Sequence, residues 1–525
     1  MEHQELLNIK EASRWATQYL KKEVTTSNIS YLINYGRIAN KGNGGEVRID
    51  KTELLEYYKS YNGNREINWR NKLGDDIDWH LSFEQYKESE TTKHVHRLHP
   101  YKGKFIPQLV EYFLDAHIDE FKKEVYFKKG DIILDPFSGS GTTLVQANEL
   151  GMHAVGIDVS KFNTLITNVK VGKHDLFELK KGIKNITDDL IEFVNNTNVL
   201  DFEERLLSEL NSFNNKYFPS PEFKRKVRNK QIDEQKYGTE KSKLFLPIFN
   251  NLILEYSIPL KQQSQTNFID KWYLQTVRNE IDFVFNRLKQ VKKRDIQKIL
   301  TIILSRTIRS CRATTHSDLA TLVEPITSTY YCSKHGKICK PLFSLLGWWK
   351  RYSEDTLKRL SEFDKLRTNT FQKCFTGDSR TIDLEKELKN SDLANVYSKN
   401  KIKGIFTSPP YVGLINYHEQ HAYAYDLFGF EKNEELEIGP LFKGKGKEAR
   451  ESYIKGVSEV LNNCKKWLAE DFDIFIVAND KYNMYPIIAE KTGLRIVQQF
   501  KRPVLNRTEK DKNAYSESIF HLKEN

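Results

Sequence analysis

The chain has 525 residues, 39% of them hydrophobic, and 82 Lys+Arg against 71 Asp+Glu give a formal charge of +11. That length supports two or three domains with proper cores, and the positive balance favours a polyanionic partner held in a salt-sensitive way, although charge alone does not identify DNA. Cys311, Cys332, Cys339, Cys374 and Cys464 are too few and too scattered for a disulfide framework, and neither a signal peptide nor an apolar 18-residue stretch is readable, so a cytoplasmic location without membrane contact is expected.

In chain order, residues 1–60 read as one small unit. A helix is expected around Ile9–Ala16 and a second from Ser27, as N-cap, to Tyr35. Glycines between Gly42 and Asp50 precede Glu46-Val47-Arg48-Ile49, and a third helix begins near Thr52. The pattern resembles the winged helix-turn-helix of excisionase-like proteins, which implies that Asn28, Ser30, Tyr31, Asn34 and Arg37 face DNA. A small helical docking module fits the same pattern. Residues 61–93 read as a partly structured connector carrying Trp69 and Trp79.

From residue 94 the pattern becomes α/β. His99-Pro100-Tyr101-Lys102-Gly103-Lys104-Phe105-Ile106-Pro107 leads into a helix marked by Leu109, Val110, Phe113 and Leu114. The apolar run to Asp135 reads as a strand, Pro136-Phe137-Ser138-Gly139-Ser140-Gly141 as a tight loop, and Thr142-Thr143 as the start of a helix. Gly139 and Gly141 remove side chains where backbone must turn and approach a ligand, and the helix start presents free N–H groups. His153–Asp158 reads as a strand ending in an acid about 20 residues beyond the glycines, placed to accept from ribose hydroxyls. The absence of GK[ST] excludes a Walker-type phosphate loop.

Residues 172–371 form a long insertion, mainly helical, with helices expected over Lys271–Lys289 and Asp295–Arg312. Its lysine-rich stretches, such as Lys224–Lys230, suit either target recognition or a solvated helix face. Cys332, His335 and Cys339 fall within eight residues, and a metal site would need a fourth ligand such as Cys311 or His316. The spacing matches no common zinc pattern, so a reduced-thiol hairpin without metal is expected.

In residues 372–525, Lys373–Arg380 reads as a strand ending in Gly377-Asp378, and Ile402–Thr407 as a strand running into Ser408-Pro409-Pro410-Tyr411. Two prolines fix a rigid turn at the carboxyl end of a strand, where open α/β sheets bind ligands. Such a turn can hold an exocyclic amine, whose lone pair is delocalised into its ring, with Ser408 Oγ and the Pro409 carbonyl as acceptors. Tyr411 would stack a base taken out of the duplex. Asn416–Asp426 carries aromatics and His418 and His421 at helical spacing, suited to closing over a ligand or to packing; the order is not a zinc motif. Phe472–Asp480, Leu494–Phe500 and Glu517–Leu522 read as closing strands, the last two as an antiparallel hairpin.

Together, Asp135–Thr143 (DPFSGSGTT) and Thr407–Tyr411 (TSPPY) resemble motifs I and IV of the S-adenosylmethionine-dependent DNA methyltransferases that act on exocyclic amines, and His99–Phe105 resembles their motif X. The resemblance covers residues 94–171 and 372–525 and implies a Rossmann-like α/β methyltransferase sheet. It implies that Asp135, Phe137, Ser138, Gly139, Gly141 and Thr142 hold S-adenosylmethionine, with Asp158 on its ribose, Asp378 near its adenine amine, and His99 and Lys104 at its methionine end. The serine form of motif IV is associated with cytosine N4; adenine N6 methylation, RNA methylation and a catalytically silent DNA-binding regulator are the alternatives. Duplex DNA is the expected partner, with a cognate restriction endonuclease acting on the same site.

Overall fold

The computed structural model describes residues 5–20, 23–34, 36–42, 46–60, 71–74, 76–262, 266–316, 322–389, 391–504 and 515–525. Trp69, Tyr35, Gly44 and Gly45 therefore lie outside the described residues.

The N-terminal unit has its own core, built from Ala12, Ala16, Ile29, Leu32, Ile33, Ile49 and Leu54. Strands β1 (Leu6–Leu7) and β2 (Ile49–Asp50) pair antiparallel, and three helices span Ile9–Leu20, Thr26–Asn34 and Lys51–Lys59. The second helix is capped by Thr25 rather than Ser27. Thr25 Oγ1 accepts from Asn28 N at 3.2 Å, while Asn28 Oδ1 accepts from Thr25 N at 2.8 Å, a reciprocal cap that leaves Ser27 inside the first turn. Glu46-Val47-Arg48 lead into β2 at Ile49, and Lys41 N donates to Arg48 O at 2.7 Å.

Seven strands form the main sheet: β3 (Ile132–Asp135), β4 (His153–Asp158), β7 (Gln372–Thr376), β8 (Ile402–Thr407), β9 (Leu468–Ala478), β10 (Leu494–Pro503) and β11 (Ser516–Glu524). Their order is β10-β11-β9-β8-β3-β4-β7. β7, β4, β3, β8 and β9 run parallel, and β11 enters antiparallel between β9 and β10. All four residues of β3 are buried, which is why Ile132-Ile133-Leu134 is a continuous apolar run rather than an alternating one.

Helices cover both faces of the sheet. Pro107–Leu114, Thr142–Glu149 and Lys161–Val171 join one core, and Lys447–Lys465 and Tyr485–Lys491 join the other. The insertion between β4 and β7 is mainly helical, as expected, but its helices extend the first core instead of forming one of their own. The helix Arg294–Ser310 shows why: Ile296, Ile299, Leu300, Ile303, Leu304 and Ile308 are all buried, at about 1.5–3 kcal/mol of transfer free energy each. The expected helix over Lys271–Lys289 is broken at Tyr273-Leu274, where Leu274 is extended (ψ 152°), into Phe268–Trp272 and Gln275–Lys289. A two-stranded hairpin, β5 (Tyr330–Cys332) and β6 (Lys337–Cys339), interrupts the helices.

The connector is less loose than its composition suggests. Asp78 N and Lys501 O, and Lys501 N and Asp78 Oδ2, are joined at 2.8 and 2.6 Å, which docks residues 78–83 on β10. Among the described residues no helix is long and apolar enough to cross a membrane.

Candidate active site

A cleft opens at the carboxyl ends of β3, β4, β7 and β8. Asp135, Phe137, Ser138, Gly139, Thr142, Asp158, Asp378, Lys104, Ser408 and Pro410 all line it, so the glycine loop and the double-proline turn border one pocket.

Adjacency of β3 and β8 causes this meeting. Thr407 Oγ1, the last side chain of β8, donates to Asp135 Oδ1 of β3 at 2.6 Å, with Thr407 wholly buried and Asp135 2% exposed. Phe137 N also donates to that oxygen at 3.2 Å. Burial pushes the Asp135 carboxyl up to about 6 despite these bonds and one from Thr143.

The loop then turns on its glycines. Gly141 has φ 76°, and a Cβ there would stand 2.5 Å from Thr167 Cγ2; at Gly139 (φ 51°) a Cβ would meet the Tyr101 hydroxyl at 3.0 Å. The loop is held from below: Thr167 Oγ1 donates to Gly139 O at 3.2 Å, and buried Lys170 donates to Ser140 O at 2.6 Å. Asp158 at the end of β4 accepts from Gly139 N (2.8 Å), Ser160 N (2.8 Å) and Asn163 Nδ2 (3.1 Å), and burial raises its carboxyl to about 6. Asp378 is met by Arg380, whose Nε and Nη2 donate to its carboxylate at 2.9 and 2.7 Å, and Ser379 Oγ ties this loop to Pro136 O at 2.6 Å.

Two motif-X candidates part company. Lys104 lines the cleft, its ammonium donating to His96 O and lowered by burial to about 8. His99 does not reach the cleft. Fully buried, it bonds Pro100 O at 3.0 Å and Ser305 Oγ at 2.9 Å, so it joins the loop to an insertion helix that the sequence could not place beside it.

Tyr411 stands beside the turn. Its half-buried ring does not line the cleft; the phenol donates to Glu517 Oε1 at 2.8 Å and is hydrogen-bonded by Ser408. Glu517 is in turn paired with buried Arg502 at 3.1 Å. Pro409 is buried in the turn.

Further residues complete the walls, Tyr417 and His418 among them from the segment read as closing over a ligand or packing. Tyr101, Phe105, Asn163, Tyr417, His418, Glu437 and Ile438 line the cleft. Tyr101 stacks on Tyr417 (5.6 Å, 22°), and buried His418 donates through Nδ1 to Glu437 while Nε2 accepts from Asn433 N at 3.2 Å, which fixes its neutral tautomer. Asn163 sits five residues after Asp158 at a helix start, a signal available in the sequence; Glu437 lies in a loop with none. His421 packs among His99, Tyr101 and Phe162.

At the N-terminal unit, Asn28, Tyr31 and Asn34 are exposed on one side of their helix and Arg37 is half-buried just beyond it. This helix ends against the insertion, where Ser220 Oγ donates to Asn34 O at 3.4 Å and a Cβ on Gly36 would touch Arg225 N at 3.3 Å.

The site suits a cationic nucleoside cofactor. Asp135, Asp158, Asp378 and Glu437 set acidic walls around it, Gly139 leaves its backbone bare, and the hydroxyls of Ser138 and Ser140 are buried without partners among the described residues. Residues 13–168 match a family profile described as DNA methylase. The chain is 47% identical to the Type II methyltransferase M.MjaII of Methanocaldococcus jannaschii over 526 residues, covering 99% of this chain and 97% of that protein. It is 32% identical over 101 residues to M.BsoBI of Geobacillus stearothermophilus, covering 19% of this chain and 18% of the other. An rRNA methyltransferase from Streptomyces viridochromogenes, aviRa, superposes at TM-score 0.29 and 8% identity over 84% of this chain and 94% of its own, too slight a likeness to bear on the fold. The near full-length identity places the chain in a family: it is a Type II DNA methyltransferase of the restriction–modification kind, and its methyl donor is S-adenosylmethionine.

Proposed function

We propose that the chain methylates the exocyclic N4 amine of cytosine in duplex DNA and so protects a site cut by a cognate endonuclease. The observation that carries this reading is the Thr407–Asp135 bond of 2.6 Å, which couples the cofactor loop directly to the turn bearing Ser408. Bound S-adenosylmethionine supplies an electrophilic methyl on sulfur. The chain's own residues do the rest: Asp158 would accept from ribose hydroxyls, Lys104 would lie toward the carboxylate end, and Gly139, with no side chain, lets the loop lie against the ligand.

An aromatic amine becomes nucleophilic only when its lone pair is turned out of conjugation. Ser408 Oγ and the Pro409 carbonyl accept hydrogen bonds from its two N–H groups, and a rigid turn keeps both acceptors fixed. A hydroxyl oxygen has two lone pairs, so Ser408 can accept from the amine whatever its own proton does. The Tyr411 ring, half-buried beside the turn, would offer the extruded base a stacking face. A neutral serine, not an acid, stands at the head of the turn, and this supports cytosine N4 over adenine N6.

The helix Thr26–Asn34, with Asn28, Tyr31 and Asn34 outward and Arg37 beyond it, and the adjoining basic helix Glu222–Arg228 form the surface assigned to DNA. Mass spectrometry of nucleosides from DNA methylated by the purified chain tests the base: N4-methyldeoxycytidine is expected, and N6-methyldeoxyadenosine in its place overturns the assignment.

A further inference from the structure

The insertion holds a cluster that methyl transfer does not use. Cys332 ends β5, Cys339 ends β6, and His335 sits in the turn between them. His335 N and Gly336 N both donate to Cys332 O, at 3.1 and 2.6 Å, and Gly336 takes φ 63°, so the turn curls its side chains back toward Cys332. The segment after the helix Arg294–Ser310 brings a fourth residue. The His316 ring lies 4.4 Å from the His335 ring, and one ligand atom from each of His316, Cys332, His335 and Cys339 lies within 4.8 Å of all the others. Cys311, the other candidate left open by the sequence, is not part of this group.

A tetrahedral ion bound at about 2.3 Å to sulfur and about 2.0–2.1 Å to nitrogen has ligand atoms roughly 3.3–3.8 Å apart. His335 Nδ1 and Cys339 Sγ are already 3.4 Å apart. The outer partner is also in place: His316 Nδ1 and the Tyr330 hydroxyl are 2.8 Å apart, which orients the ring and leaves Nε2 for an ion. Among the described residues one other cluster has ligand-like spacing, His94, His96 and Glu149, but there Lys93 Nζ stands 2.6 Å from the Glu149 carboxylate and supplies the cation itself.

We propose that Cys332, Cys339, His335 and His316 bind one zinc ion in a closed structural site. Two sulfurs and two imidazoles in tetrahedral reach select zinc over hard cations, and four protein ligands leave no position for substrate water. The spacing His316-x15-Cys332-x2-His335-x3-Cys339 hides this in the sequence, because the first ligand comes from outside the hairpin. The site anchors the basic helix Glu222–Arg228: Lys224 Nζ donates to Ser333 O and Lys334 O of the same turn, at 3.3 and 2.7 Å.

The full chain, purified without chelator, is expected to carry one zinc per molecule by inductively coupled plasma mass spectrometry. Cobalt(II) exchanged into it should give thiolate charge-transfer and tetrahedral d–d bands. C332S and C339S should lose the metal, and H316A should weaken zinc retention against a competing chelator by about tenfold or more. The wild-type metal content and cobalt spectrum decide the matter even where a cysteine variant does not fold. Wild-type chain that holds no zinc after dialysis against it, a native Cys332–Cys339 disulfide found by peptide mapping, or H316A with unchanged retention would each overturn the proposal.

Discussion

Replacing Thr407 by Val removes one hydroxyl and little else, and so isolates the link between cofactor loop and proline turn. The 2.6 Å bond runs from a wholly buried hydroxyl to a carboxylate 2% exposed. A hydrogen bond to an ionised group contributes about 1.5–3 kcal/mol, and to a neutral one about 0.5–1.5 kcal/mol. Burial has raised Asp135 to about 6, so the stability tied to its protonation is complete below the unfolded carboxylate range and is lost as pH rises through 6. The Thr407 bond opposes that loss by favouring the ionised form. T407V should therefore be hurt most above pH 6: single-turnover methylation at saturating cofactor should fall by roughly 10- to 100-fold at pH 8, with a deficit about fivefold smaller at pH 5. T407S restores the hydroxyl and should recover most of the rate. Wild-type turnover by T407V at pH 8, or a deficit that grows on acidification, would refute the coupling.

G141A should impair cofactor binding by about 2–5 kcal/mol, combining the left-handed backbone (φ 76°) with a contact 2.5 Å from Thr167 Cγ2, as read by equilibrium dialysis with labelled cofactor. Adding T167S removes that methyl and should restore part of the affinity. If Asp158 holds the ribose as proposed, its carboxyl, raised to about 6, accepts more strongly when ionised, so cofactor affinity should be flat above pH 7 and drop by up to roughly tenfold by pH 5; D158N should be weak at every pH and without that inflection in a calorimetric titration. Y411F keeps the ring but severs the phenol from Glu517 and Ser408, so kcat should fall about tenfold while KM for DNA stays near wild type, whereas Y411A should raise KM as well. Unchanged kcat in Y411F would dismiss the positioning role.

What the amino-acid order determined by itself was local: strand, glycine turn and helix at 132–149, the strand His153–Asp158 ending in its acid, the strand Ile402–Thr407 entering two prolines, and the closing hairpin. Periodicity, glycine and proline act over a few residues, so these features and the motif resemblance were readable without a fold. Tertiary structure decided everything that depends on distant partners. Asp135 and Thr407, 272 positions apart, touch because β3 and β8 are neighbours; Ser305 reaches His99 across 206 positions and keeps it out of the cleft; Glu517 captures Tyr411; and His316 meets the Cys332 hairpin. Such contacts follow from which strands lie side by side and which helix packs where, and this is set by burial summed over the whole chain rather than by any short run of residues.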